Sequence, residues 1–336
     1  MANRFTLLFY SLLLFPGAIP AAPLDPDIEV FIGEMAKKHQ FDRNELIRIF
    51  REVKPQPEVL RAISSPATAM PWSEYRQLFV NATRIDEGVK FWDDNAEALA
   101  RANQEYGVPQ EIIVATLGVE TRYGRNTGNH RVLDSLVTLA FDYAPRASFF
   151  RRQLEQFLLL TREEGIEPLS VRGSYAGAMG MPQFIPSVYR RYAVDFDGDG
   201  KPNLWKSSAD AIGSIANYLK EYGWKPESPI AVAATVNGDD VTALLSQGIK
   251  PHLRVADLQA MGVTPEQEIA GEILASLLIL GEGEEAQYWI ALDNFYVITR
   301  YNRSVNYAMA VFELSREIRR ARETRIAAKL PFQPDF

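Results

Sequence analysis

Residues 173–187 read Gly-Ser-Tyr-Ala-Gly-Ala-Met-Gly-Met-Pro-Gln-Phe-Ile-Pro-Ser. Three glycines and two prolines in fifteen residues exclude a regular helix or strand, so this segment is an irregular loop. The pattern around it is helical over most of 26–222, so helices must carry the loop. Asp42 and Glu45 form a capping-box pair ahead of Leu46, Ile49, Phe50 and Val53. Over 86–106, Val89, Trp92, Ala96, Leu99 and Ala102 share one stripe, which predicts a single helix stopped by Gly107. Pro109 suits the first position of the next helix, which carries Ile113, Leu117 and Glu120 on one face and ends at Gly124. Further helical patterns cover 131–143 and 147–164, a short stretch to Tyr192, and about 208–222.

Residues 228–297 change character. The runs 230–236 and 287–292 and the Asn237-Gly238 turn favour strands, which predicts a small β-containing insertion. Residues 307–322 return to a helical pattern. There is no repeat and no low-complexity segment.

Composition narrows the chemistry. The chain has 336 residues, 47% of them hydrophobic and 24% charged, as in ordinary globular proteins. A net charge of −7 argues against an electrostatic nucleic-acid binder. Without cysteine there are no disulfides, thiolate metal sites, cysteine nucleophile or S-acylated N-terminus. Three histidines (His39, His130, His252) leave little room for a multi-histidine zinc site or a Ser-His-Asp triad. Residues 1–22 resemble an export signal: Arg4, an apolar run over 5–15, then Gly17-Ala18-Ile19-Pro20-Ala21-Ala22. The run is short for a bilayer span. The expectation is cleavage near Ala21 and a soluble exported chain.

Glu120 stands out because it shares a face with Ile113 and Leu117, in Gly118-Val-Glu-Thr-Arg-Tyr-Gly124. A carboxylate on an apolar stripe loses hydration, which favours its protonated form and suits a general acid. The alternative is a structural Glu paired with Arg122 or Arg125. The 173–187 loop lacks the Gly-Lys-Ser/Thr ending of a phosphate cradle. It fits a sugar site better: Ser174 and Gln183 offer hydrogen bonds, and Tyr175 and Phe184 offer ring faces. A purely structural loop is the alternative. Tyr301-Asn302, ahead of the last helix, is a weaker signal. Asp195-Phe-Asp197-Gly-Asp199-Gly-Lys201-Pro-Asn203 matches the first nine positions of an EF-hand loop, with Lys201 offering its carbonyl. Position twelve is Lys206 instead of Glu, and Asp210 could close a longer loop. A lone loop of this kind suggests a structural calcium clamp instead of a switch.

Taken in order, Val119-Glu120-Thr-Arg-Tyr-Gly, the 173–187 loop, Asp195-Phe-Asp-Gly-Asp-Gly and Asn294-Phe-Tyr-Val-Ile-Thr-Arg-Tyr301-Asn302 resemble the lytic murein transglycosylase B family. The resemblance covers nearly the whole chain after the export signal. It implies a mainly α fold: a lysozyme-like helical core, a surrounding helical domain and a small β-containing domain. The corresponding boundaries are 22–106 for the helical domain, 107–227 for the core with its EF-hand-like loop at 195–210, 228–292 for the β domain, and 293–336 for the return to the core. It implies cleavage of the β-1,4 bond between N-acetylmuramic acid and N-acetylglucosamine in peptidoglycan, leaving a 1,6-anhydromuramoyl end. Glu120 matches the single acid/base. Ser174, Gln183, Phe184, Tyr301, Asn302 and Tyr307 match the glycan cleft, with Tyr75 and Tyr218 as weaker cleft candidates and Arg146 as a contact for the peptide stem. Asp195, Asp197, Asp199, Lys201 and Asp210 match one structural calcium site, and no organic cofactor is implied. Membrane-bound members carry a lipidated cysteine that this chain lacks, so the expectation is a periplasmic protein without a stable membrane anchor. Its expected partners are peptidoglycan strands and cell-wall synthetic or lytic complexes, not nucleic acid. The rival readings are a lysozyme-type hydrolase using Asp134 or Asp142 to activate water, and a non-catalytic, calcium-stabilised peptidoglycan-binding protein.

Overall fold

The computed structural model describes residues 23–64, 70–237 and 241–329. Residues 1–22, expected to be an export signal, and Gly238 lie outside them. These residues divide into two compact units, with the boundary between Glu52 and Val53. In the first, the helices Pro26–His39 and Arg43–Arg51 pack through Phe31, Ile32, Met35, Leu46 and Phe50. Asp42 caps the second helix as expected, its carboxylate accepting from the backbone of Asn44 (2.7 Å) and Glu45 (3.1 Å).

The second unit is built around the helix Gln110–Thr121. Its residues from Glu111 to Val119 are all buried, so the stripe inferred from Ile113 and Leu117 is too narrow. A helix that is apolar all round has to be enclosed on every side. The long helix Val305–Lys329 packs along it, and both also contact the helix Ala82–Asp94. Helices Val132–Phe141 and Ala147–Glu164 pair as an antiparallel hairpin, and Ser208–Glu221 packs on Ala96–Tyr106.

The single helix expected over 86–106 is two helices, Ala82–Asp94 and Ala96–Tyr106. Asn95 breaks the ladder, its side-chain amide donating to the Phe91 carbonyl at 2.8 Å. The apolar stripe runs across the break, which is why periodicity alone does not reveal it. Gly107 ends the second helix in the left-handed conformation (φ 70°), as expected. Pro109 is the N-cap residue of the next helix, one position earlier than expected.

The insertion is a five-stranded antiparallel sheet in the order Leu253–Arg254, Leu274–Leu280, Gln287–Ala291, Ala231–Val236, Val263–Pro265. It has its own core of Leu244, Val255, Leu258, Val263, Leu277 and Ile290. Ala231–Val236 and Gln287–Ala291 are the two strands expected, and they pair directly. The helix Asp293–Tyr301 then returns the chain to the helical body.

Candidate active site

The site begins where Gln110–Thr121 ends. Arg122, Tyr123 and Gly124 have φ of 52°, 60° and 85°, three successive left-handed residues. For the two that are not glycine this conformation costs about 1 kcal/mol each. Side-chain contacts hold it in place. Arg122 donates two hydrogen bonds of 2.6 Å to Glu87, and Arg125 pairs with the same carboxylate. The Tyr123 hydroxyl donates to the Arg84 carbonyl at 2.7 Å, close over Gly88 and Gly118, where any Cβ would collide with it. Sequence reading passed over Tyr123. The signal for it was two glycines inside helices, where glycine is otherwise unfavourable. The pairing of Glu87 with both arginines also disposes of a structural ion pair for Glu120.

Glu120 is partly exposed on the last turn of this helix. Its Oε1 accepts a 2.6 Å hydrogen bond from the Tyr307 hydroxyl. Burial pushes the carboxyl from its ordinary value up to about 7, and the Tyr307 bond pulls back against that rise. The phenols of Tyr75, Tyr301 and Tyr307 are all pushed upward, first by burial and then by the negative charge of Glu120. All three therefore remain protonated donors. Tyr301 and Tyr307 lie nearly parallel, 6.3 Å between centroids, and the Tyr301 hydroxyl donates to the Pro182 carbonyl at 2.6 Å.

That last bond ties the aromatic cluster to the glycine-rich loop. A second tie comes from Thr121, whose hydroxyl donates to the Met181 carbonyl at 2.9 Å. Inside the loop, Ser174 Oγ accepts from the backbone of Ala176 (3.2 Å) and Ala178 (3.0 Å), leaving its own proton to donate outward. Gln183 sits at φ 52°, and its amide nitrogen donates to the carbonyls of Thr127 (3.0 Å) and Gly180 (2.9 Å). Both amide protons are thus committed, and only its oxygen is left for a ligand. The hydrogen bonds of the Gln183 amide therefore stay within the loop region, and Glu120 is held by Tyr307 instead. Gly180 must be glycine: its φ is 69°, and a Cβ would lie 2.6 Å from the Leu204 carbonyl oxygen.

Phe184 is buried to 2% exposure, with its ring 5.6 Å from Tyr218 and 5.8 Å from Tyr301. The ring face expected to meet a sugar is covered, so Phe184 backs Tyr301 from within. Tyr218 is also buried, donating to the Arg300 carbonyl at 2.6 Å. Tyr75 is buried against Phe79, 4.8 Å between rings. Tyr175 is partly exposed and Asn302 exposed beside this cluster in sequence. Arg146 is exposed and stacks 4.3 Å over Phe149, with no contact to the Glu120 cluster. None of Asp134, Asp142 and Glu163 adds to the upward shift of Glu120. Asp134 is buried in an ion pair with Arg131 at 2.8 Å, Asp142 is exposed at a helix end, and Glu163 binds Arg190 at 2.6 Å.

The acidic loop brings together carboxylate oxygens of Asp195, Asp197 and Asp210, all within 4.8 Å of one another. Asp210 is fully buried and accepts from the backbone of Phe196 (2.7 Å), Asp197 (3.1 Å) and Asn203 (2.7 Å). Hard oxygen donors converging with no basic side chain bonded to them suit a divalent cation. Asp199, expected among them, stays outside this group and accepts from its own loop at Lys201 N, 3.3 Å. The Lys201 ammonium reaches the Glu164 carbonyl at 3.2 Å. Leu204, in the same loop, accepts from Met181 N at 2.8 Å, so the acidic loop supports the glycine-rich loop, which in turn seats against Thr121.

Known proteins resemble this chain in sequence and fold. The transglycosylase SLT domain family model matches residues 24–316. Membrane-bound lytic murein transglycosylase B of Escherichia coli K12 is 46% identical over 308 residues, covering 89% of this chain and 84% of that protein. The crystal structure of soluble lytic transglycosylase SltB1 from Pseudomonas aeruginosa is 48% identical, covers 89% of this chain and 100% of its own, and superposes with a TM-score of 0.83. The Escherichia coli lytic transglycosylase Slt35 in complex with calcium is 47% identical, covers 89% of this chain and 94% of its own, and has a TM-score of 0.82.

Proposed function

Because the chain belongs to the SLT-domain family of lytic murein transglycosylases, a family of peptidoglycan-cleaving lyases, we propose that Glu120 alone serves as its acid and base. The bond cut is the β-1,4 link between N-acetylmuramic acid and N-acetylglucosamine, and the product is a 1,6-anhydromuramoyl end. In the first step protonated Glu120 gives its proton to the glycosidic oxygen as the bond to C1 breaks. The neighbouring N-acetyl group stabilises the positive centre, and the free Ser174 hydroxyl donates to its carbonyl. In the second step ionised Glu120 takes the proton of the C6 hydroxyl, and that oxygen closes on C1. Glu120 ends protonated, ready for another turnover. An internal nucleophile reacts at high effective concentration, so no water has to be activated.

The observation that carries this reading is the state of Glu120. A carboxyl held at about 7 can both give and recover a proton near neutrality. Its rise comes from burial, and no second carboxylate contributes to it. A lysozyme-type hydrolase needs such a partner, and none of Asp134, Asp142 and Glu163 acts on the Glu120 carboxyl. A silent binding protein would have no use for a carboxyl kept at this cost.

Calcium is the natural occupant of the acidic loop in this reading, held by Asp195, Asp197 and Asp210 with the Lys201 carbonyl. It would supply rigidity, not bond-breaking chemistry. The same reading places the protein in the periplasm after removal of the export signal, which N-terminal sequencing of the secreted chain tests. Among the described residues no helix is long and apolar enough to cross a membrane. For the catalytic assignment, Glu120→Gln should lower cleavage of purified peptidoglycan by ~10² or more while the circular dichroism spectrum is kept. Retained activity would remove Glu120 from the mechanism.

A further inference from the structure

A cavity of about 600 Å³ lies beyond the glycine-rich loop, between the end of the Ala147–Glu164 helix and the acidic loop. Arg172, Asn203, Trp205 and Lys206 line it. Its volume suits a small ligand. The feature that gives it chemical character is Trp205. This indole is partly exposed, yet it is fixed from two directions. Its N–H donates to the Arg172 carbonyl at 3.3 Å, and the buried Tyr189 ring lies 5.5 Å behind it at 34°. Tyr189 is itself held by donating to the Pro202 carbonyl at 2.8 Å. A surface tryptophan held this way loses little freedom on binding, and its remaining face is an apolar platform.

The platform is joined to the glycine-rich loop through Arg172, which accepts from Trp205 and lies two residues before Ser174. Arg172 and Gly173 form a short strand against His130–Arg131, and Ser174 follows directly. Two residues of extended chain cover about 7 Å, the scale of one pyranose ring. Arg172, Lys201 and Lys206 at the rim outnumber Asp199 and Glu164, which suits sugars carrying carboxylate-bearing substituents. We infer that this cavity is a distal glycan subsite, in which an N-acetylhexosamine ring of the strand stacks on Trp205. The inference rests on the glycan-cleaving function proposed above and extends it to substrate length.

β-1,4-linked N-acetylglucosamine oligomers of increasing length are the probe. In the wild-type protein the Trp205 indole N–H resonance should shift with the longer oligomers and stay in place with the disaccharide. Trp205→Ala should weaken binding of the longer oligomers roughly two- to tenfold, the size of one lost ring stack, and leave the disaccharide affinity unchanged. An unmoved Trp205 resonance at saturation, or an equal loss at every length, overturns the inference. Should Trp205→Ala not fold, the wild-type resonance decides alone. Failure of the wild type to cleave peptidoglycan would instead defeat the proposed function. Normal cleavage with no length-dependent effect at Trp205 defeats only the subsite.

Discussion

Tyr307→Phe isolates one hydrogen bond in the centre of the site. The substitution keeps the ring that lies parallel to Tyr301 and removes the hydroxyl that donates to Glu120 Oε1 at 2.6 Å. That bond favours the ionised carboxylate, so its loss raises the Glu120 pKa. Hydrogen bonds to charged groups contribute about 1.5–3 kcal/mol, and one pH unit corresponds to about 1.4 kcal/mol. Taking the lower figure, Glu120 moves from about 7 upward by about one pH unit. The first step requires protonated Glu120, so activity falls as pH rises through its pKa. The alkaline limb of kcat/KM should therefore shift upward by about one pH unit in the variant. The carboxyl also loses its positional anchor, and kcat at pH 6 should fall roughly tenfold. Turbidity clearance of purified peptidoglycan across pH 5 to 9 measures both. A limb that stays in place, or one that moves down, would refute the argument that Tyr307 tunes the acid.

Two further outcomes concern stability. Glu120→Gln should become more stable relative to wild type as pH rises from about 4.5 to 7, because the folded wild type holds a proton that the unfolded chain releases. The difference should reach roughly 3 kcal/mol above pH 7 and vanish near pH 4, as read by denaturant melts at both values; a gap independent of pH would contradict the burial of Glu120. Calcium at a hundredfold excess over its dissociation constant should stabilise the protein by about 2.7 kcal/mol, and Asp197→Ala should remove that gain. Identical melting curves with calcium and with chelator would refute the metal site.

Glu120 was legible because a single carboxylate interrupted an apolar pattern, and the 173–187 loop was legible because glycine and proline forbid regular structure there. Tyr307 was not legible from pattern. It reaches Glu120 across 187 positions, on a helix whose spacing gives no hint of its partner, and only resemblance to a family pointed to it. Phe184 shows the opposite error. An aromatic in a polar loop suggests a binding face, but the Met179 and Phe184 backbones bond each other and turn the ring inward beneath Tyr301. The strand Leu274–Leu280 escaped because Leu-Ala-Ser-Leu-Leu-Ile-Leu is apolar except at Ser276, without the alternation that separates a strand from a buried helix. Asp199 fitted the alternating acidic spacing, yet its carboxylate accepts from Lys201 N and stays outside the group formed by Asp195, Asp197 and Asp210.

Mass spectrometry of the muropeptides released from purified peptidoglycan tests the central claim most directly. If Glu120 hands its proton to the leaving oxygen and recovers one from the C6 hydroxyl, the muramoyl ends are anhydro products, one water lighter than those of a lysozyme. Release of the hydrated products would contradict the single-carboxylate mechanism and require a second group that activates water.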